Sequence, residues 1–188
     1  MKLHLGCGRR HIPGWVHVDL ASFPHVDHVH TVQSLPFIPD GAAEVVYASH
    51  ILEHFPRAKT LDVLAEWHRV LRPGGILRVA VPDFEMLAQY YLNPDNVTNR
   101  FDLKSRCLDA IIGPLYGRQD DVRNIHYTVF DEPTLVKALH LTGFGPVRRY
   151  DPHRTEHAHV DDFSMAYLPH MDQQDGALIS LNLEATKL

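Results

Sequence analysis

The chain has 188 residues, 45% of them hydrophobic and 22% charged, the size and composition of a single globular domain spanning residues 1–188 that can bury its own core. A formal net charge of -5 without a basic run argues against a binder of phosphate backbones, so no nucleic-acid partner is expected. Two cysteines, Cys7 and Cys107, in no paired spacing give no disulfide framework, and no run approaches ~18 apolar residues, so no membrane span is expected. The N-terminus has no charged head followed by an apolar core, which leaves the cytoplasm as the default location.

Short apolar runs alternate with helical patterns, the signature of an α/β architecture with a mostly parallel sheet. Leu3 to Leu5 reads as a first strand running into the tight turn Gly6-Cys7-Gly8, and Val16-His17-Val18 as a second strand ending at Asp19. Val26 to Val32 is a weaker third strand, and Glu44 to Ala48 a fourth. Thr60 to Leu71 is a helix whose polar stripe is Asp62, Glu66 and Arg69. Leu61, Leu64, Ala65 and Leu71 lie opposite, with Val63, Trp67 and Val70 widening the apolar face. Pro73-Gly74-Gly75 is expected to stop that helix, and Ile76 to Val81 is a strand apolar enough to be buried on both faces. A second helix covers Phe84 to Tyr91, whereas Asn93 to Arg123 mixes helix formers with Gly113, Pro114 and Gly117. Asp131 is an N-cap for a helix over Pro133 to Leu141, closed by Gly143. Val147 to Tyr150 and Ile179 to Ala185 are the final strands, separated by a polar, His-rich loop or flap over residues 151–176 with a short piece of structure near Phe163 to Tyr167.

Two features point to a ligand. Gly6 and Gly8 follow a strand and let a backbone approach a bound molecule closely. The dinucleotide fingerprint would place a third glycine at position 11, where this chain has His11, so a nucleoside-type ligand fits the turn better than a pyrophosphate. Asp19, at the end of the second strand, can accept both hydroxyls of a ribose, or serve as a turn or cap residue. Residues 6–15 barely meet the ~10–12 residues of a parallel crossover and contain Pro13-Gly14, so the first crossover helix is expected to be shortened or absent.

Three blocks carry a family resemblance. LHLGCGRRHIPGWVHVDL (Leu3 to Leu20) resembles the opening of a branch of the class I, Rossmann-like S-adenosylmethionine-dependent methyltransferases. LPFIPDGAAEVVYASHILEHF (Leu35 to Phe55) and EWHRVLRPGGILRVAVPDFE (Glu66 to Glu85) resemble later blocks of the same family in the expected order. The resemblance implies a sheet of about seven strands, mostly parallel with the last antiparallel beside the fifth, and helices on both faces. It implies S-adenosyl-L-methionine as cofactor, S-adenosyl-L-homocysteine as product, and a small-molecule or glycan acceptor, the branch often accompanying cell-surface polysaccharide genes.

Residue by residue, the resemblance puts Gly6, Cys7 and Gly8 under the cofactor, and Asp19 with Leu20 at the ribose. Gln33 and Ser34 would stand near the adenine, and Ser49 and His50 near the methionine end. His4 occupies a position where many relatives carry an acid or Asn that orders the methionine amino group. A retained fold without turnover is the alternative, kept open by the missing glycine at position 10 (Arg10 here) and by His4, while a nicotinamide-dependent enzyme is disfavoured by the short Gly-to-Asp spacing.

Methyl transfer from a sulfonium needs a base only when the acceptor must lose a proton; His50, Asp83 and His126 are the candidates at the carboxyl edge of the sheet. Asp83 could equally cap the helix that follows it, and His126 with Tyr127 could simply pack its loop. His50-Ile51-Leu52-Glu53-His54 also matches the inverted zinc-protease pattern H-x-x-E-H, but the methyltransferase block accounts for the same five residues. His153, His157, His159, Asp161 and Asp162 read as a His-rich surface loop, so no metal is assigned. The chain starts at its first strand, so the acceptor site is expected to be open or to be roofed by residues 86–130, by the His-rich loop or by a second subunit in a homodimer.

Overall fold

The computed structural model describes residues 1–92 and 108–188. Cys107 and the first part of the mixed 93–123 stretch lie outside the described residues. Among the described residues nine strands and four α-helices follow one another: β1 (Lys2–Leu5), β2 (Val16–Asp19), β3 (His28–Val29), β4 (Ala43–Ser49), α1 (Thr60–Val70), β5 (Leu71–Pro82), α2 (Phe84–Leu92), α3 (Asp109–Tyr116), α4 (Glu132–Leu141), β6 (Phe144–Arg149), β7 (Tyr167–Leu168), β8 (Ala177–Leu178) and β9 (Ser180–Lys187). Seven form one sheet in the order β3-β2-β1-β4-β5-β9-β6. β1 to β5 pair in parallel, and β9 runs antiparallel between β5 and β6. This is the sheet expected from the sequence, with the third strand cut to His28–Val29 and no helix between β1 and β2.

The core follows from strand and helix periodicity. Leu3 and Leu5 of β1, Val46 and Ala48 of β4, Leu77 and Val79 of β5, and Leu181 and Leu183 of β9 are sealed in one apolar cluster with Val63, Leu64, Trp67 and Val70 of α1. Removing each such large side chain from water is worth roughly 1.5–3 kcal/mol. The buried face of α1 is rotated from the sequence expectation: Leu61 is 43% exposed and Ala65 is exposed, because the helix presents Val63, Trp67 and Val70 to the sheet. The polar stripe is correspondingly not fully solvated. Glu66 accepts a hydrogen bond from the Leu35 amide (2.5 Å), and Arg69 donates to the carbonyls of Leu35 and Ile38 and to Glu66. The helix also ends before Pro73-Gly74-Gly75, since Leu71 is already extended and opens β5. Were the helix to continue, the Pro73 ring would collide with the carbonyl of Arg69, four residues back.

With no crossover helix after β1, one face of the sheet needs another cover, and residues 151–166 supply it. Ile12, Trp15, Val45, Tyr47 and Val160 form a second apolar cluster there. His157 packs on Tyr47 with ring centroids 4.0 Å apart and meets Trp15 edge-on at 5.4 Å. The Asp162 carboxylate accepts hydrogen bonds from Tyr47 Oη (2.6 Å), Ser49 Oγ (3.2 Å) and the Ser164 amide (2.8 Å). The segment expected as a flap or His-rich surface loop is therefore a packed layer in which His157 and Asp162 are buried. Its short turns at Pro152–Arg154 and Phe163–Met165 begin from the capping carboxylates of Asp151 and Asp162.

Sealing this face traps titratable rings. His4 is 2% exposed, stacked on Tyr47 and edge-on to His17, and burial lowers its pKa from 6.5 to about 3. Burial likewise lowers His157 to about 4 and shifts His17 downward. All three are bases with native pKa values below the unfolded 6.5, so the unfolded chain binds more protons as pH falls. Their stabilising contribution is complete above about pH 7 and is lost progressively from 6.5 toward 3–4. His4 alone should cost about 2 kcal/mol at pH 5. We expect urea unfolding midpoints to fall steeply between pH 7 and pH 5, and His4→Leu to flatten that slope.

Candidate functional site

The strand order reverses at β1, whose neighbours are β2 and β4, and open α/β sheets bind ligands at such a switch point beyond the carboxyl ends of their strands. A cavity of about 340 Å³ lies there. Gly6 and Asp19 with Leu20 form one side of it, Thr31 and Val32 another, Ile51, His54 and Phe55 the floor beyond β4, and Val122 with Arg123 the outer rim. A larger groove of about 740 Å³ is lined by Thr60, Leu61, Phe130 and residues of α4.

The wall at β1 is built by backbone geometry. Gly6 and Gly8 have φ of 65° and 54°, the left-handed region that costs an L residue ~1–2 kcal/mol. The Gly6 amide donates to the Val18 carbonyl at 2.8 Å, which pulls the turn against β2. A Cβ on Gly6 would overlap the side chain of Ile51, so this glycine makes room for the chain leaving β4, whereas Gly8 faces open space apart from the tip of Arg10. Asp19 receives the Gly8 amide on Oδ2 (2.8 Å) and the Ala21 amide on Oδ1 (2.7 Å). Each carboxylate oxygen keeps a further lone pair, so Asp19 fixes the turn and still offers acceptor capacity to the cavity.

The remaining residues named from sequence divide between the cavity and its surroundings. Leu20 lines the cavity, but Gln33 and Ser34 are exposed and off its wall, where Thr31 and Val32 stand instead. His4 is sealed on the covered face of the sheet. Cys7 is buried with its Sγ 3.8 Å from His25 Nε2, and burial pushes its thiol up to about 12. Ser49 is tied to Asp162, and Asp83 is buried and caps α2 by accepting the amides of Glu85 (3.1 Å) and Met86 (3.3 Å). Asp83 also lies 3.6 Å from Arg149.

His50 and His126 come together around a residue that sequence reasoning left unused. Glu53 is fully buried beside His50, His54 and His126. His50 has φ of 53°, its Nε2 lies 3.0 Å from Ser180 Oγ, and its Nδ1 lies 3.3 Å from Glu53 Oε1. Burial works to raise the Glu53 pKa, but the three imidazoles outweigh it and hold the carboxyl below its ordinary range. The H-x-x-E-H spacing held this signal, but on a short turn over Leu52–His54 rather than the α-helix a zinc protease requires. His126 arrives from a loop no local pattern reveals, held by the Tyr127 and Thr128 amides on the Glu53 carbonyl (2.8 and 3.2 Å).

Residues 3–79 match the family model described as a methyltransferase domain. The chain is similar to the structure of Burkholderia thailandensis 1,6-didemethyltoxoflavin-N1-methyltransferase with bound 1,6-didemethyltoxoflavin and S-adenosylhomocysteine, at 18% identity and TM-score 0.57, over 99% of this chain and 70% of that one. It is similar to a possible histamine N-methyltransferase from Thermotoga maritima (13%, TM-score 0.56, 100% and 82% covered) and to an Archaeoglobus fulgidus S-adenosylmethionine-dependent methyltransferase (15%, TM-score 0.56, 99% and 85% covered). The fold is that of the Rossmann-like methyltransferases. A search of curated proteins finds no match.

The Gly6 turn gives a direct test. Gly6→Ala should lose about 1–2 kcal/mol from its backbone conformation alone, plus the cost of displacing Ile51. Adding Ile51→Ala should recover only the overlap component, which a double-mutant cycle of denaturant unfolding measures.

Proposed function

We propose that the chain is an S-adenosylmethionine-dependent methyltransferase that transfers the methyl group by direct displacement to a small-molecule or glycan acceptor and releases S-adenosylhomocysteine. The observation that carries this is the switch-point cavity, where a glycine turn without side chains faces the strand-terminal carboxylate of Asp19. Gly6 and Gly8 let the backbone pass under an adenosine, and the free lone pairs of Asp19 suit the ribose hydroxyls. Leu20, Thr31 and Val32 offer an apolar and hydroxyl-bearing seat for the base. The bound cofactor supplies an activated methyl on a positive sulfur; the protein must hold the acceptor in line and exclude water.

Of the candidate bases, His50 is the one to which we assign the proton of a hydroxyl acceptor. It follows β4 directly and has a carboxylate, Glu53, at its Nδ1 to stabilise the imidazolium. His126 lies beside the same carboxylate with its Nδ1 2.8 Å from the Pro114 carbonyl. Asp83 is a positioning residue for α2.

Saturating S-adenosylhomocysteine, at 100 times its Kd, should stabilise the native chain by about 2.7 kcal/mol and raise Tm by roughly 5–10 °C. Asp19→Asn should abolish most of that shift, while His50→Ala should keep it and lower kcat for labelled methyl transfer by about 10²–10⁴. An equal shift with Asp19→Asn would remove the ribose assignment; full turnover by His50→Ala would remove the base.

A further inference from the structure

The imidazoles gathered around Glu53 leave acceptor capacity on its carboxylate unfilled. The carboxylate is fully buried, and among the described residues neither oxygen has an aligned hydrogen-bond donor. His50 Nδ1 stands 3.3 Å from Oε1 but is not aligned as a hydrogen-bond donor to it. An ionised carboxylate away from water costs several kcal/mol unless a positive partner meets it.

Two further groups converge on it with a defined tautomer. His54 Nδ1 lies 3.0 Å from the Ile125 carbonyl and His126 Nδ1 lies 2.8 Å from the Pro114 carbonyl. A carbonyl only accepts, so both Nδ1 atoms carry a hydrogen, and in the neutral rings each Nε2 keeps a free lone pair. Metal-binding imidazoles are commonly oriented this way, the second ring nitrogen donating to a backbone carbonyl. One donor atom from each of Glu53, His54 and His126 lies within 4.8 Å of the others. Two ligands on one tetrahedral ion at ~2.1 Å bonds stand about 3.4 Å apart, so closure asks for side-chain shifts of up to about 1.4 Å.

We propose that Glu53, His54 and His126 form a binding site for a first-row divalent metal ion of the zinc or manganese kind. The donor set is two imidazoles and one carboxylate, which suits such ions and leaves coordination positions open. Because His54 also lines the cofactor cavity, the open positions suit an oxygen-bearing acceptor lying beside the cofactor. The site requires no methyl transfer to be real, and metal alone tests it.

Chelated full-length protein titrated with Co²⁺, Zn²⁺ or Mn²⁺ by calorimetry should bind one equivalent, and Co²⁺ should give a visible ligand-field spectrum. Glu53→Gln, His54→Ala and His126→Ala should each weaken binding 10–100-fold or more, whereas His153→Ala, on the distant covering layer, should leave it unchanged. Because Glu53→Gln could unfold the chain, circular dichroism and the Co²⁺ spectrum of His54→Ala provide an independent reading. No binding to the intact protein, or binding unaltered by substitution of the two histidines, overturns the site. A Tm shift with S-adenosylhomocysteine in that same protein shows that the cofactor reading survives such a failure.

Discussion

The connection from β1 to β2 is the constraint from which the other features follow. Residues 6–15 must carry the chain from the carboxyl end of one strand back to the start of its parallel neighbour, and no helix fits in that length. The turn is closed instead by polar backbone bonds: the Gly6 amide to the Val18 carbonyl, the Gly8 amide to Asp19, and the Ile12 amide to His17 Nε2 at 2.9 Å. Asp19 thereby acts first as a structural clamp. The same clamp sets the cavity's edge, because it holds the glycine turn and the end of β2 in one fixed relation.

Omitting a helix leaves apolar sheet surface that something must cover. The covering layer at 151–166 does so with little regular structure, and it needs side-chain anchors where a helix would have used its own backbone bonds. Asp162 provides the main one, reaching Tyr47 and Ser49 of β4, while Arg10 Nε donates to the Asp161 carbonyl at 3.0 Å. Arg78 adds ion pairs to Glu156 and Glu184. The arrangement explains a chain rich in histidine: these rings fill space as flat, half-polar plates between β1, β4 and the cover, as His157 does on Tyr47 and His17 on His4.

Much of this was legible in the sequence because it is local. The glycine turn, the strand ending at Asp19, the apolar run Ile76 to Val81 and the missing crossover helix all follow from spacing over fewer than twenty residues. So does the Asp131 cap, which accepts the Thr134 amide at 2.9 Å as its position predicts. The face of α1 was misread because Leu61 turns toward the groove beside α4, a neighbour that periodicity does not know about. The burial of His4 and His157 was hidden for a related reason: both pack on Tyr47, which lies far from each of them in sequence. Gln33 and Ser34, named for the adenine by resemblance, stand off the cavity wall, which Thr31 and Val32 line.

Glu53 shows why a motif can be present and still be misjudged. H-x-x-E-H carries meaning on a helix, where four-residue spacing puts two histidines on one face. Here the positive φ of His50 and the short turn at Leu52–His54 separate the two, so His50 reaches toward Ser180 of β9 while His54 points to the cavity. Glu53 sits between them and fastens the returning loop through its own carbonyl, which receives the amides of Tyr127 and Thr128. Backbone and side chain of one residue thus perform separate tasks. The carbonyl brings His126 into place, and the carboxylate supplies the negative charge around which His50, His54 and His126 are gathered. A neutral residue at position 53 could keep the loop, but it would leave three imidazoles converging on no charge.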